Sequence, residues 1–248
     1  MAARTDNVSD PKLASSLLLA RRGQALFSRK LHELRNVEFD APSLLPGWTR
    51  RHVAAHVGFN ARANARLVNW AATGVETPMY SSPTERDEEI AFGATLPIRA
   101  ILNLSDHAAV HLNVEWRDLP EEYWNRLVTT AQGRSVPASE IVWMRTREVW
   151  LHAVDLDNGA EVGQFPNELI DLLLADLVKV WLRKRSPGQR NITLEPLDRE
   201  ARYRIADEPE DLIVRGTAAQ LVAWGTGRNP RGVLAADGGA PPRAPAWL

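Results

Sequence analysis

The sequence predicts an α+β chain, with an N-terminal four-helix bundle followed by a small C-terminal α/β domain. Three observations predict it: four long segments with helical apolar spacing in the first 160 residues, a turn-forming Asp157-Asn158-Gly159, and strand-like alternation that appears only afterwards. The domain boundary is therefore placed between residues 160 and 161, giving 1–160 and 161–248.

Asp10-Pro11 opens the first helix, whose stripe of Leu13, Leu17, Leu18, Ala20, Leu26, Phe27, Leu31 and Leu34 carries it to about Arg35. Breaks at Ala41-Pro42-Ser43 and Leu45-Pro46-Gly47 lead into the second helix, with Thr49 as its N-cap and its end near Gly74. Thr77 to Pro83 reads as a loop. A short charged helix through Glu89 follows, then a long one from about Leu96 to Arg117. Ser139 is the expected cap of the last bundle helix, which runs to about Asp157, although Val142 three residues on rules out a full capping box. Short to medium connections imply antiparallel neighbours, and bundles of this kind build metal sites from facing helices.

Beyond the boundary an amphipathic helix from Asn167 to Arg183 precedes the turn Ser186-Pro187-Gly188. Ile192–Glu195, Ala201–Ile205 and Asp211–Arg215 read as strands of a half-buried sheet, and a last helix runs from Thr217 to about Gly225. The Gly/Pro-rich stretch from Asp237 to Pro245 predicts no regular structure, with Trp247-Leu248 placed to pin it back.

Composition narrows the function. Hydrophobic residues make up 44% and charged residues 25% of the 248 positions, which is ordinary for a globular chain. A net charge of −1 leaves no electrostatic footprint for nucleic acid or an anionic membrane. The opening Met-Ala-Ala-Arg-Thr-Asp-Asn lacks an apolar signal region, and no apolar run approaches the ~20 residues that span a bilayer. The expectation is a cytoplasmic monomer acting on a small molecule. The absence of cysteine excludes disulfides, thiolate clusters and a cysteine nucleophile, so any thiol chemistry needs a sulfur brought by a small molecule.

Glu148-Val-Trp-Leu-His152 places a carboxylate and an imidazole one helical turn apart on a common face, and His52-Val-Ala-Ala-His56 offers two more imidazoles on another helix. With one imidazole added, the pair would form the open three-ligand site of a catalytic zinc; with both, a closed structural site. The alternative without a metal is a helix-stabilising Glu–His pair worth ~0.5 kcal/mol. His107 and His111 repeat the same spacing, so periodicity alone leaves the third ligand open.

Several strings then point to a family. Leu44-Leu-Pro-Gly-Trp-Thr-Arg-Arg-His-Val-Ala-Ala-His-Val57, Asn69-Trp-Ala-Ala-Thr-Gly-Val-Glu-Thr-Pro-Met-Tyr80, Gln132-Gly-Arg-Ser-Val-Pro-Ala-Ser-Glu140 and Trp143-Met-Arg-Thr-Arg-Glu-Val-Trp-Leu-His-Ala-Val-Asp155 resemble mycothiol-dependent maleylpyruvate isomerase, over nearly the whole chain. The Gly47-Trp48 lead into the His56 helix is shared with the broad DinB-like superfamily of thiol-dependent enzymes. The resemblance implies a DinB-like bundle whose zinc ligands match His56, Glu148 and His152, leaving His52 a neighbour and His107 and His111 structural. It also implies a role in catalysis for an arginine of the C-terminal domain, matched by Arg228 in Thr226-Gly-Arg-Asn229; the plain reading of Arg228 is a cation on helix carbonyls.

The implied chemistry is cis-trans isomerisation of maleylpyruvate to fumarylpyruvate in gentisate-type aromatic degradation. Its cofactors are Zn2+ and mycothiol: a zinc-bound thiolate adds reversibly to the double bond, which frees rotation, and elimination returns the thiol. A mycothiol S-transferase, a zinc hydrolase of the same superfamily and a binding module with a closed structural metal are the competing readings.

Overall fold

The computed structural model describes residues 5–247, and the chain divides into two compact units, residues 1–160 and 161–248. Met1 to Arg4 of the amino-terminal stretch and Leu248 of the tail lie outside the described residues.

In the first unit α1 (Pro11–His32), α2 (Arg50–Thr73), α4 (Ile98–Asp118) and α5 (Glu140–Asp155) are the long helices, with α3 (Glu85–Thr95) beside α2. Asp10 caps α1 by accepting from the Lys12 N–H at 2.9 Å, and Pro11 occupies the first helical position, where its missing N–H is harmless. Helix α2 ends at Gly74, whose φ of 75° is left-handed and costs glycine nothing. Between those ends α2 is rich in alanine: Ala54, Ala55, Ala61, Ala63 and Ala65 are all buried. Small side chains let it sit at the centre, packed on α3, α4 and α5 at once.

Arg50, the first residue of α2, sets the register that matters most. Its Nε donates to Leu156 O at 2.6 Å and its Nη2 to Asp157 O at 2.8 Å, so it satisfies carbonyls at the C-terminal end of α5. The first turns of α2 are thereby held against the last turns of α5.

Two local expectations need correction. Ser139 stands at the start of α5 but has helical φ and ψ of −59° and −28°, and its side chain makes no cap bond. A capping hydroxyl needs the extended backbone that lets it reach the second or third amide. The region before α5 also contains a hairpin, β1 (Leu127–Thr129) with β2 (Ser135–Pro137), which three-residue strands are too short to announce by alternation.

In the second unit α6 (Asn167–Lys184) and α7 (Ala218–Gly225) accompany a four-stranded sheet of β3 (Ile192–Pro196), β4 (Tyr203–Arg204), β5 (Leu212–Gly216) and β6 (Leu234–Ala235), in the order β4-β3-β5-β6. Strands β3 and β5 are parallel, with Leu194 opposite Val214, and the outer pairings are antiparallel. The half-buried alternation expected for β3 is not what forms: Ile192, Thr193, Leu194 and Pro196 are all buried, as suits an inner strand. The buried Thr193 hydroxyl donates to Glu210 Oε2 at 2.9 Å. The tail past Ala235 has no regular element among the described residues, and Trp247 holds it, its Nε1 donating to Asp176 Oδ2 at 3.0 Å. Among the described residues no helix is long and apolar enough to cross a membrane.

Candidate metal centre

The facing turns of α2 and α5 bring three side chains together. One ligand atom each from His56, Glu148 and His152 lies within 4.8 Å of the others. Glu148 Oε2 is the common point, 2.8 Å from His56 Nε2 and 3.0 Å from His152 Nε2. The imidazole planes meet edge to face at 85° with centroids 4.8 Å apart. Such a cluster of one carboxylate oxygen and two ring nitrogens is a donor set that can chelate a metal ion.

Protonation sharpens this. His152 Nδ1 is 2.8 Å from Oδ2 of the fully buried Asp155, so Nδ1 carries the hydrogen and the Nε2 lone pair is the one left for the centre. Burial pushes the His56 imidazole below its ordinary range, with Glu148 opposing and the charges of His152 and Arg86 adding to the fall. For His152 burial also pushes down, but the bonds to Asp155 and Glu148 outweigh it and the net direction is up. Glu148 is lifted by burial and carried well below the usual carboxylate range by the two histidines. Without a cation the centre thus holds a carboxylate, a neutral imidazole and one that retains its proton readily. A divalent metal bound here would replace that proton, and two nitrogens with a carboxylate oxygen suit zinc.

The other histidines do different work. His52 Nδ1 accepts from the Thr49 N–H at 3.2 Å and lies 2.8 Å from the Thr49 hydroxyl, closing the first turn of α2. His107 and His111 are exposed on α4, where His111 Nε2 pairs with Glu115 at 3.3 Å. Periodicity could not separate the pairs because it says which residues share a face and not what that face meets.

Three further residues surround the centre without having been singled out as parts of it. Asp155 is the buried carboxylate behind His152, and its i,i+3 spacing was the available signal. Trp48 sets its ring edge-on to His56 at 5.5 Å and stacks on His52 at 6.2 Å. Tyr80 feels the charges of Glu148 and Arg86, and burial pushes its hydroxyl up to about 12, so it stays a donor. Its segment is laid along α2 by Thr77, whose hydroxyl donates to Arg66 O at 2.7 Å, and by Arg66 donating to Met79 O.

Residues 20–157 match the family model for the mycothiol maleylpyruvate isomerase N-terminal domain. A solved structure of a mycothiol-dependent maleylpyruvate isomerase is 43% identical, with a TM-score of 0.90 over 95% of this chain and 97% of that one. The chain belongs to this family. A histidine-to-alanine mutant of such an isomerase is similar at 42% identity, with a TM-score of 0.89 and the same coverage of each chain. No curated protein matches. The seven α-helices and two small sheets among the described residues match the mixed α+β fold of these isomerases.

The remaining residue implied by that family, Arg228, lies in the second unit just past α7. Gly227, with φ 77°, and Arg228 close a Schellman turn, their N–H groups donating to Trp224 O at 2.9 Å and Ala223 O at 2.8 Å. The Arg228 side chain is half-buried, and its Nη1 donates to Thr226 O at 3.0 Å.

Proposed function

We propose that the protein catalyses the mycothiol-dependent cis-trans isomerisation of maleylpyruvate to fumarylpyruvate, a step of gentisate-type aromatic degradation. The observation that carries the reading is the His56–Glu148–His152 cluster, in a chain that belongs to the isomerase family and has no cysteine of its own. Those three side chains would hold zinc. A bound zinc would supply, with mycothiol, a thiolate at neutral pH, the nucleophile that reversible addition to the substrate double bond requires.

The protein residues prepare that chemistry. Asp155 keeps the hydrogen of His152 on Nδ1 and so aims Nε2 at the centre. Trp48 covers one edge of His56, which limits water there. Arg228 is the clamp for a substrate carboxylate, its planar fork also stabilising the enolate charge that grows on addition. A thiol cofactor has to stay reduced, which fits a cytoplasmic setting, and the protein works there as a monomer.

The test is turnover of maleylpyruvate by zinc-loaded protein with and without mycothiol, following fumarylpyruvate and free thiol together. The proposal expects product only with mycothiol and an unchanged thiol concentration. Loss of thiol in step with maleylpyruvate and without fumarylpyruvate would make the protein an S-transferase, and thiol-independent loss of maleylpyruvate without fumarylpyruvate would make it a zinc hydrolase.

A further inference from the structure

The first unit contains a second concavity that shares no residue with the metal cluster. It is a cleft of about 410 Å³ beside α1 and α4, within the size range of small-molecule sites. Ala20, Ala109, Leu112 and Trp116 supply apolar wall, and Arg145 from α5 lines it while only 2% exposed.

Arg145 is the unusual element. A buried guanidinium is normally matched by a carboxylate, because stripping water from a lone charge costs several kcal/mol. Arg145 is held by neutral acceptors: Nη1 donates to Val57 O and Asn60 Oδ1, each at 2.8 Å, and Nη2 to Gln24 Oε1 at 2.7 Å. Three bonds leave part of its five-donor fork unused. The other charges on the cleft are already matched. Arg21 grips Asp6 through two bonds of 2.6 Å, and Asp106 pairs with His32 at 2.9 Å. Glu148, one turn along α5, is taken by His56 and His152. A second buried donor stands in the same wall: the indole Nε1 of Trp116, itself 3% exposed, has no partner among the described residues. The cleft thus joins an apolar wall to an unmatched cation and an unmatched N–H, and both lack a negatively charged acceptor.

We propose that this cleft is a binding site for a small monocarboxylate with an apolar body. The carboxylate accepts from the Arg145 guanidinium, with the Trp116 N–H as a further donor, and the body lies along Ala20, Ala109 and Leu112. A single negative charge suits one buried cation, and an apolar body suits the wall better than a sugar or a nucleotide does. Arg145 is also a strut between α1, α2 and α5, which by itself requires no ligand. The experiment therefore has to separate the two roles.

Benzoate is the probe and benzamide its uncharged isostere, titrated into the metal-loaded full chain by calorimetry and by NMR of the Trp116 indole N–H, assigned with Trp116→Phe. One saturable benzoate per chain is expected, with a shift of the Trp116 resonance and binding of benzamide about tenfold weaker or worse. Because replacing Arg145 removes a strut and endangers folding, the locating variant is Ala109→Trp, at a half-buried helix position that fills the cleft. It should keep the fold and weaken benzoate by about tenfold or more. No saturable binding at about 10 mM benzoate, equal binding of benzamide, or undiminished binding to Ala109→Trp would each overturn the proposal, the last by placing the anion elsewhere.

Discussion

Asp155→Asn tests the centre through a residue that is not itself a ligand. The carboxylate is 0% exposed and its Oδ2 is 2.8 Å from His152 Nδ1. Asparagine keeps the volume and an oxygen that can accept the same hydrogen, so the charge is the main thing removed. A hydrogen bond to a charged group contributes ~1.5–3 kcal/mol and one between neutral groups ~1 kcal/mol. The difference, about 0.5–2 kcal/mol, corresponds to roughly 2- to 30-fold in zinc affinity, reaching into the lower part of the ~10–100-fold typical of outer partners of metal-bound histidines.

The effect has a pH signature. Asp155 strengthens Nε2 as a base toward the proton as well as toward zinc. Above the His152 pKa the variant should show the whole loss. Below it the loss should shrink, because the competing proton is weakened as well. Zinc titration against a chelating competitor across that range reads both features, with circular dichroism confirming the fold. A folded variant whose zinc affinity stays within about twofold of the parent at high pH would refute the assignment of Asp155 as the residue that orients and strengthens His152.

His56→Ala should lose zinc affinity by about 100-fold or more, since a ligand counts for at least as much as its support, whereas His52→Ala should bind zinc normally and lose ~1 kcal/mol of stability with the Thr49 cap bonds. Equal metal loss in both variants would instead make the site a closed four-ligand one. Gly23→Ala would set a Cβ 2.5 Å from Trp150 Cδ1 and 2.7 Å from Val149 Cγ2, and Trp150 is anchored by its Nε1 bond to Leu19 O at 3.0 Å. Overpacking of ~1–3 kcal/mol should exceed the ~1 kcal/mol that alanine gains in helix propensity, so the urea midpoint should fall; a higher one sinks the argument. Zinc affinity of the parent should drop about tenfold per pH unit below the His152 pKa, which lies above its ordinary value, with one proton released per zinc bound. His56 adds a second proton only at lower pH, because its own shift is downward, and a pH-independent affinity would contradict both. Arg228→Lys should keep the fold and the metal yet lose most isomerase activity, since a point charge cannot reproduce a planar fork; unimpaired turnover removes Arg228 from the mechanism.

Local chemistry is what one strand of sequence carries on its own. Asp10 before Pro11, Thr49, Gly74 and Thr217 bound their helices because caps and left-handed glycines act within a few residues. The i,i+4 spacing of Glu148 and His152 likewise put them on one face before any partner was known. The absence of cysteine meant that any thiol chemistry would need a sulfur brought by a small molecule. What spacing left open was settled by long-range packing. His52 and His56 stand one turn apart on the same helix, yet Arg50 clasps the end of α5 so that His56 meets Glu148 while His52 turns back to cap its own helix. Ser139 has the right side chain for a cap and the wrong backbone angles, and β3 becomes a buried inner strand because β4 and β5 flank it on both sides. The unmatched Arg145 beside its cleft belongs to the same class: residues from α1, α2, α4 and α5 meet there, and only the assembled bundle shows that no carboxylate is among its partners. Sequence determined the elements, which arise from forces a few residues long; tertiary structure decided which faces meet, because that rests on contacts between segments nearly a hundred residues apart.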